Sequence, residues 1–330
     1  MRKFWALDAS GMQAGARDAF ERAKQPSMPS FILDVRYRAE YLALRLIAAL
    51  VRIAPIDVGS NVSGKIWRLV APYDRRHKRA IENLTIAFPE KTPKQRHAIA
   101  LAMWENLGRV MAETMQIDRI IADPDRVELS AETRRVFDRY RSKMGAAIGV
   151  TLHMGNWELA AWPMTLAGNK PAAVYRTVKN PYVDRYLRNL RRGLYPGGLL
   201  GKGRINGSIE EGQKTARQIM DFVRQGGRLG LVCDLHDRTG LPVPFFGKPA
   251  RSVTIPAIIA RRVSARIWIG RCVRIGKQSR FRIEFRELKV PRGGNPTDDV
   301  RSVTEAMQAQ FEEWVRDAPE QWMWINRRWS

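Results

Sequence analysis

"AAIGVTLHMGNWELAAW", residues Ala146–Trp162, decides the fold. The largely apolar run Ala146–Leu152 is too short for a helix that must bury itself and fits a buried strand. A turn follows at once: His153 ends the run, Gly155 permits a sharp bend, and Asn156 is placed to cap what comes next. "NWELAAWPMTLAG" is then expected to be helical, with Pro163 kinking or shortening it. A strand, a tight turn and a helix make one unit of an α/β sheet, where ligands bind at the carboxyl ends of the strands. His153 therefore stands where such a sheet keeps its chemistry.

The same alternation continues outward. Strands are expected at Ala172–Arg176, Arg228–Cys233, "ARIWIGRCVRI" and "RFRIEFREL". Helices are expected at Pro181–Leu194, Ile209–Arg224, Thr254–Arg262 and Asp298–Arg316. "GLYPGGLLGKGRINGS" has the composition of a glycine-rich loop, and "LPVPFFGKPARS" that of a turn-rich segment with exposed aromatics. Upstream, residues 31–142 are expected to be helical. Thr92, Pro93 and Gln95 spell a helix start with a capping box, and Ile99, Met103, Val110, Thr114 and Ile117 follow as its stripe. The expected architecture is a mixed central sheet flanked by helices over residues 143–330, continuous with the helical region as one domain, behind a polar tail at residues 1–30.

Charge sets the partners. Among 330 residues, Lys plus Arg is 57 against 33 Asp plus Glu, a net charge of +24, and 43 of the 57 are Arg. A field of this sign attracts polyanions such as an acidic carrier protein, an anionic leaflet or nucleic acid. No helix-turn-helix, zinc-finger or RNA-recognition signature accompanies it, so a nucleic-acid binder is the distant alternative. The apolar stretch Tyr37–Pro55 is broken by Arg38, Arg45 and Arg52, and so lacks an uninterrupted span. On a helix these arginines form one stripe opposite Leu42, Leu46, Leu50 and Ile53. Such a helix either lies in a bilayer interface with its stripe at the headgroups or packs on its own domain.

Several chemistries find no support in the sequence. The two cysteines, Cys233 and Cys272, sit in apolar runs and make no disulfide framework, and the four histidines show no metal-ligand spacing. "GKGRING" departs from the dinucleotide fingerprint, Gly203 stands where a phosphate loop needs Ser or Thr, and no G-x-S-x-G elbow occurs. What remains is His153 with Glu158 five residues on. A first-turn carboxylate can fold back on an imidazole, fixing its tautomer and stabilising the imidazolium, and the histidine can then act directly on a substrate hydroxyl. The spacing equally suits a satisfied core histidine beside an acid favoured by the helix dipole. The residues alone leave both readings open.

"HMGNWE" resembles the H-x-x-x-x-Asp/Glu motif of glycerolipid-type acyltransferases, in the form H-x-G-N-W-E typical of the bacterial lipid A late acyltransferases. The resemblance extends to "RAIENLTIAFPEKT", "MWENLGRVMAE", "VYRTVKNPYVDRYLRNLRRG", "GGRLGLVCDLHDRTGLPVPFFGKPA" and "PEQWMWINRRW", roughly residues 35–329 in all. It implies transfer of a fatty acyl chain from a thioester, borne by acyl carrier protein, to a hydroxyl of a lipid A precursor, with no cofactor or metal. His153 would be the general base and Glu158 its orienting partner. Arg176 would meet substrate phosphate or the oxyanion, with turn amides as the other oxyanion candidates. Asp234 matches an acidic site position, although Leu235 follows it where members often carry Gln. Asn156 would cap the helix or touch substrate. The implied setting is the cytoplasmic face of a bacterial inner membrane, attached peripherally or through the amino-terminal helix. The alternative acceptors are another glycolipid or a lysophospholipid; Glu rather than Asp at position 158 favours the lipid A branch. On the same resemblance "PVPFFG" would line an acyl groove or plug a turn, and the carboxyl-terminal tryptophans would form an interfacial belt or pack in the core.

Overall fold

The structure is a computed structural model and describes residues 30–140, 145–202 and 209–329. The expected polar tail, save Ser30, and positions 203–208 of the glycine-rich segment lie outside the described residues. The helical layer comprises α1 (Ser30–Ile53), α2 (Ile56–Val70), α3 (Arg75–Ala87), α4 (Pro93–Thr114) and α5 (Ile117–Ala122). The capping box at the start of α4 forms as expected: the Thr92 hydroxyl accepts from Gln95 N–H and the Gln95 side chain accepts from Thr92 N–H. Met103, Val110 and Ile117 of the expected stripe are buried.

Beyond α5 the chain enters the sheet with β1 (Val127–Leu129), α6 (Ala131–Tyr140) and β2 (Ala147–Thr151). It continues through a 3-10 turn (Trp157–Ala161), α7 (Trp162–Leu166), β3 (Ala172–Arg176), α8 (Pro181–Leu190), β4 (Gly198–Lys202), α9 (Ile209–Arg224) and β5 (Arg228–Val232). The hairpin strands β6 (Leu241–Phe245) and β7 (Lys248–Ser252) precede α10 (Ile255–Arg262), β8 (Arg266–Arg274), β9 (Phe281–Leu288) and α11 (Pro296–Asp317). The seven-stranded sheet runs β1-β9-β8-β2-β5-β3-β4, and every pairing is parallel except β8 with β9. This is the mixed sheet flanked by helices that the alternating pattern implies. Pro163 does shorten the helix after His153, which is a 3-10 turn followed by the five residues of α7.

Three segments differ from expectation. β4 forms inside the glycine-rich stretch, where pairing with β3 supplies the backbone hydrogen bonds that local propensity does not. The three-residue β1 forms inside the region expected to be wholly helical, held by β9. "LPVPFFGKPARS" is a two-stranded hairpin, and its aromatics are not exposed: Phe245 and Phe246 are buried against Trp324 and Trp329. The prolines fit because each strand pairs on one side only.

The arginine stripe of α1 does not lie opposite its leucines. Leu42 is four residues from Arg38 and three from Arg45, so the stripe runs along one flank of the apolar face. Its three arginines stay exposed while reaching partners beside the helix. Arg52 makes a two-pronged ion pair with Asp118 and also donates to the Met115 carbonyl. Arg45 lies over the Tyr186 ring of α8, and Arg38 pairs with Asp34 beneath Tyr182. The outward face is apolar. Leu42, Leu46, Leu50 and Ile53 of α1 and Val62, Ile66, Leu69 and Val70 of α2 are all more than half exposed. Among the described residues no helix is long and apolar enough to cross a membrane.

Candidate active site

Register brings the site together. Thr151 of β2 pairs with Val232 of β5, so counting two residues on from each sets His153 opposite Asp234. β3 flanks β5 with Ala172 against Leu229, which brings Arg176 to the same edge. All three residues stand at the carboxyl ends of parallel strands, where the backbone leaves the sheet and side chains converge.

The turn after β2 is held from beneath. Gly155 has φ +57, and a Cβ there would lie 1.9 Å from the Cys272 carbonyl oxygen, so only glycine fits. Gly155 N–H donates to the Gln321 carbonyl, and Met323 N–H donates to the His153 carbonyl. The carboxyl-terminal segment thus runs beside the turn. Trp322 and Trp324 are buried in this packing and form no exposed belt.

His153 Nδ1 lies 2.8 Å from Asp234 Oδ1, and the Asp234 Oδ2 atom accepts from the His153 backbone N–H and from the Trp322 indole, each at 2.8 Å. A carboxylate only accepts, so Nδ1 carries the proton and Nε2 is the basic nitrogen, with the ring lining an open cleft. Burial alone would push the imidazole down, but the Asp234 charge and hydrogen bond, aided by the Glu158 charge, hold it above the usual histidine value. Burial would raise Asp234, but His153, its backbone N–H and Trp322 outweigh that and hold the carboxyl below the usual range.

Glu158 is placed differently from the expectation. Its two oxygens accept from Arg191 Nε at 2.7 Å and Nη2 at 2.5 Å, so the carboxylate hydrogen-bonded to His153 is Asp234. The 3-10 turn aims Glu158 along the cleft wall, where a planar guanidinium just past α8 meets it with a matching fork. Glu158 still lines the cleft with His153 and acts on it through space. Asn156 is also displaced from its expected part: it sits at the helix start, but its side chain donates to Glu113 and caps nothing. It is fully buried and does not reach the cleft. Asp234 is likewise buried behind the imidazole, faces His153 and does not line the cleft.

The cleft has a volume of about 820 Å³. Arg176, Arg191 and Arg238 line it together with Glu158, Asp237, His153 and His236; Arg191 is paired with Glu158, so the wall is of mixed charge with a small cationic excess. Arg176 stands on that wall as expected and is exposed. The turn amides are spent: those of His153, Met154 and Gly155 donate to Asp234, Leu152 and Gln321. Of the oxyanion donors considered from the sequence, Arg176 lines the cleft and these three amides do not serve it. Arg191, Trp322, His236 and Arg238 lay beyond the sequence reading. Trp322 and Arg191 fall within segments singled out for other reasons, and His236 is two residues past Asp234, but nothing local marks any of them as facing the site. Among the described residues no cluster of His, Cys, Asp or Glu could hold a metal ion.

The chain is 24% identical to the lipid A biosynthesis myristoyltransferase of Escherichia coli (strain K12) over 315 residues, 90% of each chain. It is 23% identical to the lipid A biosynthesis lauroyltransferase of the same organism over 318 residues, 92% of this chain and 95% of that one. It is also 23% identical to the phosphatidylinositol mannoside acyltransferase of Mycobacterium tuberculosis (strain ATCC 25618 / H37Rv) over 245 residues, 69% of each. The model of the bacterial lipid A biosynthesis acyltransferases matches residues 28–330. With that match running the length of the described fold, and with the histidine turn at the head of its sheet, the chain belongs to the bacterial lipid A biosynthesis acyltransferase family and is an O-acyltransferase.

Proposed function

We propose that this protein transfers a fatty acyl chain from an acyl carrier protein thioester to a hydroxyl of a lipid A precursor, with His153 as general base and Asp234 as the group that orients it. The observation that carries the reading is the His153 Nδ1–Asp234 hydrogen bond, which leaves Nε2 to take a proton in the cleft. His153 Nε2 accepts the hydroxyl proton as the oxygen attacks the thioester carbonyl. The tetrahedral oxyanion is met by Arg176. The carbon–sulfur bond then breaks and the imidazolium returns its proton to the leaving thiolate, giving ester and thiol. Glu158, fixed by Arg191, offsets the imidazolium charge through space. Arg176 and Arg238 on the cleft wall suit a phosphorylated acceptor, and the net charge of +24 suits an acidic carrier protein.

The exposed apolar face of α1 and α2 supports seating at a bilayer interface without a span. Arg75, Arg76, Lys78 and Arg79 are exposed directly beyond Tyr73, at the edge of that face, where anionic headgroups would lie. α8 starts five residues past Arg176 and binds α1, Tyr182 Oη donating to Asp34 at 2.8 Å, so the cleft wall is tied to the helix that carries the apolar face.

The test is transfer of labelled acyl chain from acyl carrier protein to a lipid A precursor in vesicles. The His153→Ala protein should lose it; undiminished transfer would overturn the mechanism. A second acceptor class, another glycolipid, is favoured by the likeness to the mannoside acyltransferase. Offering both acceptors to one preparation separates the two.

A further inference from the structure

Beneath the cleft lies a polar cluster that the transfer chemistry does not use. Glu113 of α4 is 0% exposed, although its helix belongs to the amino-terminal layer. Its carboxylate accepts from Ser60 Oγ of α2 at 2.7 Å, from Ser279 Oγ at 2.8 Å and from both terminal nitrogens of Arg274 at the end of β8. It also accepts from Asn156 Nδ2 at 3.0 Å. Asn106 lies two turns earlier on the same helix. Its Nδ2 donates to the Gly155 carbonyl at 3.1 Å, and its Oδ1 accepts from Arg274. Two side chains of α4 therefore grip consecutive residues of the turn, Gly155 by its backbone and Asn156 by its amide, two and three positions after His153.

The composition of this cluster is not one that gains stability cheaply. A buried ion pair surrenders the hydration of both charges, and apolar residues of similar volume often serve as well. Asn156 Oδ1 is buried without a hydrogen-bond partner, a cost that an apolar residue would avoid. Directional groups at such a cost are useful where they fix a geometry. The geometry in reach is that of the turn that carries the imidazole two residues before Gly155.

We propose that Glu113 and Asn106 are positioning residues for the transfer: from α4 they set the turn His153–Asn156 so that the imidazole meets Asp234 with Nε2 toward the cleft. The inference rests on His153 being the base. It makes α4 a tie between the helices of the outer layer and the catalytic turn, through Ser60 on one side and Asn156 on the other.

Three variants of the full chain test it. Asn156→Leu removes the Glu113 grip, leaves that of Asn106 on the Gly155 carbonyl and the Glu113–Arg274 pair in place, and should keep or raise the melting temperature while kcat falls roughly 10- to 100-fold at unchanged KM. Glu113→Gln places an amide opposite an amide, and Asn156→Asp a carboxylate opposite a carboxylate; each should lose kcat. The double variant moves the carboxylate across one hydrogen bond and restores a donor facing an acceptor there, although the amide introduced at position 113 then also faces Arg274 Nη2; it should recover part of the lost kcat, far from additive. A second readout is independent of turnover: the downfield Nδ1 proton resonance of His153 should weaken in the single variants and return in the double. Parent-like kcat in Asn156→Leu, or a double variant no better than the two losses combined, would overturn the positioning role. If the parent transfers no acyl chain and His153→Ala changes nothing, the functional reading fails instead, and the His153 resonance alone then decides whether α4 sets the turn.

Discussion

Asp234→Asn is the sharpest perturbation the site allows. The carboxylate accepts three donors: His153 Nδ1–H, His153 backbone N–H and the Trp322 indole. An amide of the same shape has one accepting oxygen. If that oxygen faces Nδ1, the amide N–H₂ meets two other donors. If it faces those two, the N–H₂ meets Nδ1 and drives the proton to Nε2, the nitrogen that must be free. Each unsatisfied buried donor costs about 1–3 kcal/mol, so the melting temperature should fall. The second arrangement is the wrong tautomer, which in a catalytic triad lowers kcat by about 10⁴-fold, and a loss on the order of 10³–10⁴ is expected here. The pH profile supplies a second sign. With Asp234 present, His153 titrates above its ordinary value, so activity rises with pH through that raised value. Without the carboxylate, burial prevails and His153 titrates lower, so the acid limb should move to lower pH as the plateau drops. The assay is initial-rate acyl transfer across pH 5–9, roughly the range where an imidazole near its ordinary value of about 6.5 can be followed. A variant within about tenfold of the parent, or with an unmoved acid limb, would refute Asp234 as the orienting group.

The same groups fix how stability follows pH. His153, raised in the folded state, contributes stability that is complete below its unfolded value and is lost as pH rises through the folded one; Asp234, depressed, contributes stability above its unfolded value and loses it on acidification through the folded one. Denaturant titrations should therefore show both dependences shrink in Asp234→Asn. Arg191→Met should leave Glu158, whose side chain is 9% exposed, without its partner and cost about 3 kcal/mol in denaturant midpoint analysis; adding Glu158→Gln should recover part of it. Replacing Leu46, Leu50 and Ile66 by Gln should barely change the melting temperature, because all three are exposed, yet should weaken sedimentation with anionic vesicles by at least about tenfold, each buried leucine being worth about 1.5–3 kcal/mol. Gly155→Ala combines positive φ with contact against the Cys272 carbonyl and should abolish transfer, with a stability loss above about 2 kcal/mol by calorimetry.

Local signals were legible wherever they were complete within a few residues. Thr92 and Gln95 start α4 because both halves of the capping box lie within one turn. The strand before His153 and the break at Pro163 follow from burial and ring geometry in the same way. β4 was not legible, because a glycine-rich edge becomes a strand only when β3 offers a ladder. Nor were the partners of the Arg38–Arg45–Arg52 stripe: helical spacing groups these residues along one line, but only the placement of Asp118, Tyr186 and Tyr182 gives each exposed arginine something to hold.

The histidine turn divides the same way. By itself the sequence determined a strand ending at His153, a glycine able to bend sharply there, and a carboxylate five residues on, all consequences of spacing along one segment. Tertiary structure decided which carboxylate meets the imidazole. Asp234 is 81 residues from His153 in sequence and reaches it through the parallel pairing of β2 with β5, while Arg191, 33 residues past Glu158, claims the nearer acid. A hydrogen bond falls off within a few tenths of an ångström, so its partner is set by where strands register in space, and proximity along the chain carries little weight against that.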